Sequence, residues 1–221
     1  MISALGFVAV FSYLAATFDY PDILDGAPSE VLPRLLEGGV SLHVAWWLYA
    51  MLPLLLLPAA AGAFEALRSG GEGLMRLASY CAVLAALTLT LGLVRWPSLN
   101  HELAVLHSGA NATQRVAVEA IFAGFNRYLG TYVGEQLGEL FMNVWFILCG
   151  VAMLRIPRFL RWLGRAGIVV GLAGLVGMFR FTTHWVEVVS ELNNYILPLW
   201  LIGFGLTLWT RGPAPAPEGS K

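Results

Sequence analysis

Ionisable and polar residues recur every four positions on two otherwise apolar stretches of this sequence. The first series is Arg127, Thr131, Glu135, Glu139 and Asn143. The second series, with intervals of three or four, is Arg180, His184, Glu187 and Glu191. Side chains at these intervals share one face of an α-helix. Because ionisable groups inside a membrane are costly and usually face a partner or a wet cavity, binding or catalysis is most expected on these two faces.

Composition indicates that the chain spans a membrane. Of its 221 residues, 58% are hydrophobic and 12% are charged, which is about half the charged fraction of a soluble domain. We predict an all-α integral membrane protein, a six-transmembrane-helix bundle with short amphipathic helices in the outer loops. The predicted spans are 2–18, 40–62, 76–96, 128–154, 166–186 and 193–210. Residues 1–210 would form this single domain, and 211–221 a disordered cytoplasmic tail.

The basic residues set the predicted orientation. Eight of the thirteen fall on one side of the spans: Arg68, Arg76, Arg155, Arg158, Arg161, Arg165, Arg211 and Lys221. The positive-inside rule makes that side cytoplasmic, together with both termini. All four histidines and eleven of the fourteen carboxylates lie toward the other side. The formal net charge is −1, so we expect no nucleic-acid partner.

Counting along the helices predicts a buried ion pair between the fourth and fifth spans. At about 1.5 Å per residue from the inner arginines, Glu139 stands roughly 24 Å up and Arg180 roughly 22 Å, both inside a hydrocarbon core of about 30 Å. One level higher, Glu135 at about 30 Å meets His184 at about 28 Å. His43 and Arg95 reach nearly the same height. The pair can be a structural clamp or the floor of a ligand cavity, and the sequence leaves both open.

The leading interpretation is an outward-facing polar pocket that binds a small molecule or a membrane lipid. Its predicted ligand-binding residues are Glu135, Glu139, Arg180, His184, His43 and Arg127. The outer loops 19–39 and 97–127 would cover it. The first loop carries a short amphipathic helix, predicted to begin at Ser29, end at Gly38 and lie on the membrane surface. The second loop is predicted to become helical near Gln114.

Two alternatives come from other classes of function. The first is a membrane-embedded, metal-dependent hydrolase at the outer leaflet, with zinc or iron held by His43, His184 and Glu187. The pair His101 and His107 does not match the HExxH pattern, because six residues separate the two rings by about 240° on a helix. A haem between His43 and His184 is not favoured, because two lone histidines make no haem motif.

The second alternative is a structural partner subunit without a ligand. Glycines recur on the fourth and fifth predicted spans, where they allow helices to pack closely. They are Gly130, Gly134 and Gly138 on one span, and Gly167, Gly171, Gly174 and Gly177 on the next. We expect such faces to pack helices within the chain or to join copies of it in an oligomer.

Three stretches together resemble a family of bacterial multispan membrane proteins known only as a domain of unknown function. They are Phe18-Asp19-Tyr20-Pro21-Asp22, Leu93-Val94-Arg95-Trp96-Pro97 and Asn126-Arg127-Tyr128-Leu129-Gly130 with the following Gly134-Glu135-Gln136-Leu137-Gly138. The resemblance implies a bacterial inner-membrane location and a helical bundle, and it implies no activity. The family often has a histidine after Glu135, where this chain has Gln136, so the resemblance gives no metal role to that position here.

Overall fold

The structure, a computed structural model, describes residues 2–181 and 183–211. Every regular element in that part of the chain is helical, which confirms the all-α prediction. The α-helices are α1 (Ile2–Phe18), α2 (Pro28–Glu37), α3 (Gly39–Met51), α4 (Leu56–Leu67), α5 (Glu72–Val94), α6 (His101–Gly109), α7 (Ala112–Phe125), α8 (Gly138–Arg155), α9 (Arg161–Gly177) and α10 (Glu187–Arg211). The predicted tail after residue 211 lies outside the described residues.

Four helical runs in the described residues are long and apolar enough to cross a membrane. They are Gly39–Gly70, Glu72–Gly109, Ala112–Arg155 and Arg161–Arg180. Two shorter apolar helices, Leu5–Phe18 and Ile196–Arg211, coincide with the predicted first and sixth spans. The 23 residues of α5 alone cover about 35 Å, more than the hydrocarbon core. If α5 spans the bilayer, the α6–α7 hairpin that follows it projects beyond the hydrocarbon.

The chain divides into two compact units, which we describe separately. The first unit comprises residues 2–55 and 84–139. In it α2 packs against α6 and α7, and we call these three helices the cap. The apolar face of α2 buries Val31, Leu32 and Leu35 in the hydrophobic core of this unit.

Two details of the predicted loops are corrected by the cap. The helix α2 was predicted to lie on the membrane surface. In the structure its apolar face packs against leucine and alanine side chains of α6, so protein covers this face. It begins at Pro28 rather than at Ser29, since proline suits the first helical turn. The second loop becomes helical as predicted, and Asn111 and Gln114 form a reciprocal capping box at the start of α7.

Two π-helical segments interrupt the long helices of the first unit. Trp96–Asn100 continues α5 into α6, and Asn126–Leu137 continues α7 toward α8. A π-helix closes i→i+5 hydrogen bonds, is rare, and often marks a functional site. Neither segment was predicted from the sequence.

The second unit comprises residues 56–83 and 140–211 of the described chain. Its helices pack through the glycine face predicted for the fifth span. A Cβ atom on Gly167 would lie 2.5 Å from the ring of Trp200, and one on Gly171 would lie 2.7 Å from the carbonyl oxygen of Asn143. This face is therefore occupied by α8 and α10 of the same chain.

The second series of ionisable residues does not lie on one continuous helix. The helix α9 ends at Gly177, and Met178–Phe181 and His184–Val186 are short 3₁₀ helices before α10 begins. Glycine has a low helix propensity, and the β-branched Thr183 follows the first of these turns. The predicted fifth span, 166–186, is therefore broken before His184.

Candidate functional site

A buried arginine is the centre of the polar site in the first unit. Arg95 is only 6% exposed. Its Nε donates a hydrogen bond to Asn126 Oδ1 at 2.8 Å, and its Nη1 donates to the carbonyl oxygen of Gly92. The guanidinium also lies 5.2 Å from the ring centre of Trp96, within the range of a cation–π interaction. These contacts fix both the position and the orientation of the positive charge.

Glycines make room for this guanidinium. A Cβ atom on Gly130 would lie 2.6 Å from Arg95 Nη2, and one on Gly134 would lie 2.9 Å from the Cα atom of Gly92. Any larger residue at either position would have to push the arginine or a backbone segment aside. The glycine face predicted on the fourth span is therefore used to bring two backbones and one cation together.

Residues that contact each other across α5 and the π-helical segment are spaced differently along the two helices. The successive neighbours are Leu89 with Gly138, Gly92 with Gly134, and Arg95 with Gly130. The interval is three residues from Leu89 in α5 to Arg95, which directly follows α5. It is four residues from Gly130 in the π-helical segment Asn126–Leu137 to Gly138, the first residue of α8. A π-helix has more residues per turn than an α-helix, so four of its residues match three of the partner. The π-helical segment thus sets the register that brings Asn126 to Arg95.

The Glu135 carboxylate and the Tyr20 phenol belong to the same site. Both interact electrostatically with Arg95. Burial of the Tyr20 ring raises the pKa of Tyr20 to about 12, with a smaller contribution from the Glu135 carboxylate. A hydrogen bond with Tyr49 and the charge of Arg95 offset part of this increase. Tyr20 is therefore a neutral hydrogen-bonding group at physiological pH.

An aromatic cluster packs beside the cation. Trp46 stacks on Trp96 with ring centres 4.7 Å apart and planes at 13°. Phe18 meets both rings edge-on, at 5.9 Å and 5.7 Å. Two buried polar atoms in this region, Trp46 Nε1 and Asn100 Oδ1, have no hydrogen-bond partner among the described residues. Asn100 does use its Nδ2 group, which donates to Asn126 Oδ1 at 3.1 Å.

The three histidines of the first unit lie in two separate places. The ring centres of His43 and His101 are 4.3 Å apart, and His43 Nε2 accepts a hydrogen bond from Trp47 Nε1 at 3.2 Å. His107, buried in the cap, lies 2.9 Å from Glu119 Oε1 through its Nε2 atom. Within residues 2–181 and 183–211, no three His, Cys, Asp or Glu side chains come close enough to hold a metal ion.

The predicted ligand-binding residues fall in different parts of the structure. His43, Arg127, Glu135 and Glu139 belong to the first unit, and Arg180 belongs to the second. Arg127 is exposed, and Arg180 Nη1 donates to the carbonyl oxygen of Gly177 at 3.3 Å. The side chains of His184, Glu187 and Glu191 lie outside the described part of the chain. The predicted pairs of the fourth and fifth spans therefore stay predictions.

Sequence reasoning missed the partner that orients Arg95. Asn126 and Asn100 were not among the predicted site residues, although Asn126 opens one of the three stretches that carry the family resemblance. Tyr20, Arg95 with Trp96, and Asn126 with Glu135 come one from each of those stretches. Their meeting at one site is the signal that could have identified it.

Comparison with known proteins gives one result. None of the curated proteins and none of the solved structures compared with the chain matches it. A family model described as "Domain of unknown function (DUF4386)" matches residues 1–210, which is nearly the whole sequence. The chain therefore belongs to the DUF4386 family, and the expected resemblance is confirmed.

Proposed function

We propose that this protein is a six-span protein of a bacterial inner membrane that binds a small polar molecule or a lipid on the outer side. The binding groups would be Arg95, Glu135 and Tyr20, beneath the cap. The predicted residues His43, Glu139 and Arg127 of the first unit would flank this site, and Arg180 and His184 stay predicted ligand-binding residues of the second unit. Eight of thirteen basic residues on one side of the predicted spans support cytoplasmic termini.

One observation carries the proposal. The indole N–H of Trp46 and the amide oxygen of Asn100 are fully buried and lack partners in the part of the chain that the structure describes. Each such group costs about 1–3 kcal/mol, so a native protein usually satisfies it with an ordered water or a ligand. A ligand acceptor could pair with the Trp46 N–H, and a ligand donor with the Asn100 amide oxygen. An anionic oxygen of the same molecule could pair with Arg95.

The proposal is tested by measuring what the purified protein retains. Native mass spectrometry would be run on wild type, Arg95→Gln and Asn100→Leu after gentle detergent extraction. We expect a molecule to stay bound to wild type and to be lost from both variants. The matched control is Arg115→Gln, because Arg115 is an exposed arginine of the cap. Because Arg95→Gln can impair folding, a monodisperse Asn100→Leu protein without the bound molecule is the decisive result.

The opposite outcomes point to the other classes of function. Wild-type protein that carries nothing, in detergent and in lipid nanodiscs, would contradict the binding proposal and favour a structural partner subunit. A molecule retained equally by all variants would place its site elsewhere in the chain.

A metal-dependent hydrolase is the second candidate function, favoured by one observation. His43 Nδ1 is buried without a hydrogen-bond partner among the described residues, and His101 lies beside it. Because Nε2 accepts from Trp47, the proton of a neutral ring would sit on Nδ1. Metal binding at Nδ1 would therefore need this proton to move and the Trp47 bond to break. Elemental analysis for zinc and iron, with His43→Ala as the comparison, tests this alternative.

A further inference from the structure

A groove of about 430 Å³ opens on the first unit where α1 and α2 end. Its lining residues are Ala15, Ala16, Thr17, Phe18, Asp19, Arg34, Glu37 and Gly38. The volume lies within the range of small-molecule sites, about 300–1,000 Å³. None of the predicted ligand-binding residues, and neither Arg95 nor Asn100, is part of this lining. The groove is therefore distinct from the site proposed above.

We propose that this groove binds the headgroup of a phosphatidylethanolamine molecule from the surrounding bilayer. Arg34 Nη1 lies 3.7 Å from Asp19 Oδ2, and both side chains are more than half exposed. Such an exposed ion pair contributes little to stability, so a ligand that carries both charges can replace it. The phosphate would accept from Arg34 while the ammonium donates to Asp19 and Glu37.

The position of the groove favours a lipid over a soluble molecule. Asp19 directly follows the apolar helix Leu5–Phe18, and Gly38 directly precedes the span Gly39–Gly70. Charged residues at the ends of adjacent apolar helices lie at the headgroup level of a bilayer. Ala15 and Ala16 continue the lining toward the apolar part of α1, where the glycerol and acyl groups of a lipid would lie.

The charges of the lining select among phospholipid headgroups. One arginine and two carboxylates give the groove an excess of negative charge, which disfavours an anionic headgroup such as phosphatidylglycerol. The ammonium of ethanolamine has three N–H donors, as a lysine does, and can form charge-assisted hydrogen bonds with carboxylates. The quaternary ammonium of phosphatidylcholine has none. Phosphatidylethanolamine is therefore the headgroup that matches all three charged residues.

The backbone at Asp19 ends α1. Its φ is +58°, a left-handed conformation that aspartate tolerates better than most residues and that commonly ends a helix. The backbone N–H of Tyr20 then donates back to the carbonyl oxygen of Leu14 at 3.4 Å. This helix ending places the Asp19 carboxylate, which is 66% exposed, beside the groove.

The test compares three phospholipids on the full-length protein. Short-chain phosphatidylethanolamine, phosphatidylcholine and phosphatidylglycerol would be added to the delipidated protein in detergent, and bound lipid counted by native mass spectrometry. We expect the ethanolamine lipid to bind in preference to the other two. Asp19→Asn, which keeps the tolerance for a left-handed backbone, should reduce the preference for the ethanolamine over the choline lipid roughly tenfold, as expected for one charge-assisted hydrogen bond. Arg34→Gln, which loses the phosphate contact, should weaken binding of both lipids by a similar factor and leave their ratio unchanged.

Controls separate this groove from the rest of the cap. Glu30→Gln removes an exposed carboxylate of α2 outside the groove and should leave the preference unchanged, as should Arg95→Gln if it folds. Equal binding of the ethanolamine and choline lipids by wild type would overturn the proposal. So would an unchanged preference in Asp19→Asn, unchanged binding of the ethanolamine lipid in Arg34→Gln, or a preference for phosphatidylglycerol that Arg34→Gln abolishes.

Discussion

Each unit of the chain contains a stacked aromatic pair of nearly the same geometry. Trp46 and Trp96 in the first unit have ring centres 4.7 Å apart with planes at 13°, and Trp200 and Phe204 in the second have 4.8 Å and 11°. The polar groups around them differ. Trp200 Nε1 donates to the carbonyl oxygen of Leu163 at 3.0 Å, whereas Trp46 Nε1 has no such partner in the described residues. Trp145, which packs edge-on against Phe204, shares this property with Trp46.

In each unit one arginine lies over an aromatic ring, and the polar partners of the two arginines also differ. Arg95 lies 5.2 Å from the ring of Trp96, and Arg158 lies 5.3 Å from the ring of Phe159. Arg158 is exposed and donates to the carbonyl oxygen of Ala66 at 2.9 Å, which satisfies a helix C-terminus. Arg95 is buried and interacts with Glu135. Similar ring contacts therefore accompany a helix cap in one unit and a desolvated charge in the other.

The largest expected effect comes from removing Arg95. Arg95→Met removes a buried cation and its hydrogen bonds to Asn126 Oδ1 and the carbonyl oxygen of Gly92. Because hydrogen bonds to charged groups contribute about 1.5–3 kcal/mol each, we expect a loss of about 3 kcal/mol or more. Arg158→Met removes an exposed contact and should cost no more than about 1 kcal/mol. Denaturant unfolding in detergent measures both. Equal costs for the two variants would show that Arg95 is no more desolvated than Arg158.

Glycine packing should be common to both units. A Cβ atom on Gly134 would lie 2.9 Å from the Cα of Gly92, and one on Gly171 would lie 2.7 Å from the carbonyl oxygen of Asn143. Backbone atoms cannot yield as side chains do, so each alanine variant should lose about 1–3 kcal/mol. Gly124→Ala is the control, because no atom lies within 4 Å of that Cβ position, and it should gain up to about 1 kcal/mol. The midpoint of thermal unfolding would report all three, and an unaffected Gly134→Ala protein would refute the close approach.

A smaller effect should appear only at high pH. Because the folded-state pKa of Tyr20 is about 12, above the ordinary tyrosine pKa of about 10, the unfolded chain loses this proton first as the pH rises. The associated stability is complete below pH 10 and is lost progressively toward pH 12, by about 1.4 kcal/mol for each pH unit. Tyr20→Phe should therefore show a flatter decline of stability than wild type above pH 10.

The control for this prediction is Tyr80→Phe, which removes a hydroxyl from an exposed tyrosine of the second unit. Parallel stability curves for wild type and Tyr20→Phe between pH 9 and 11 would contradict the buried position of the Tyr20 phenol.

Local signals in the sequence predicted much of the fold. Gly38 ends α2 as expected, and α7 begins close to the predicted Gln114, which joins Asn111 in the capping box. The interval of three along α5 also follows from ordinary helix geometry. These features depend on one or two neighbouring residues, so periodicity and turn chemistry are sufficient to find them.

The candidate site was harder to predict because it depends on a change of helical period. The series through Glu135 and Glu139 was projected onto an α-helix, whereas Asn126–Leu137 is π-helical and turns less per residue. That change brings Asn126 and Glu135 to Arg95, which the α-helical projection had only matched by height. Whether Arg180 pairs with Glu139 depends on how segments far apart in the sequence are arranged, and residue spacing within one helix carries no information about that arrangement.

The π-helical segment has a consequence for insertions and deletions in this chain. Removing one residue between Asn126 and Gly134 would turn the portion that carries Gly134 and Gly138 relative to Asn126 by the rotation of one π-helical residue, which is less than the ~100° of an α-helical residue. Bulkier side chains would then face Gly92, and Arg95 could not keep both its amide partner and its glycine neighbours. A loss of one residue should be far more damaging here than at the Ala110–Asn111 junction, so the length of this segment, as much as its composition, is under constraint.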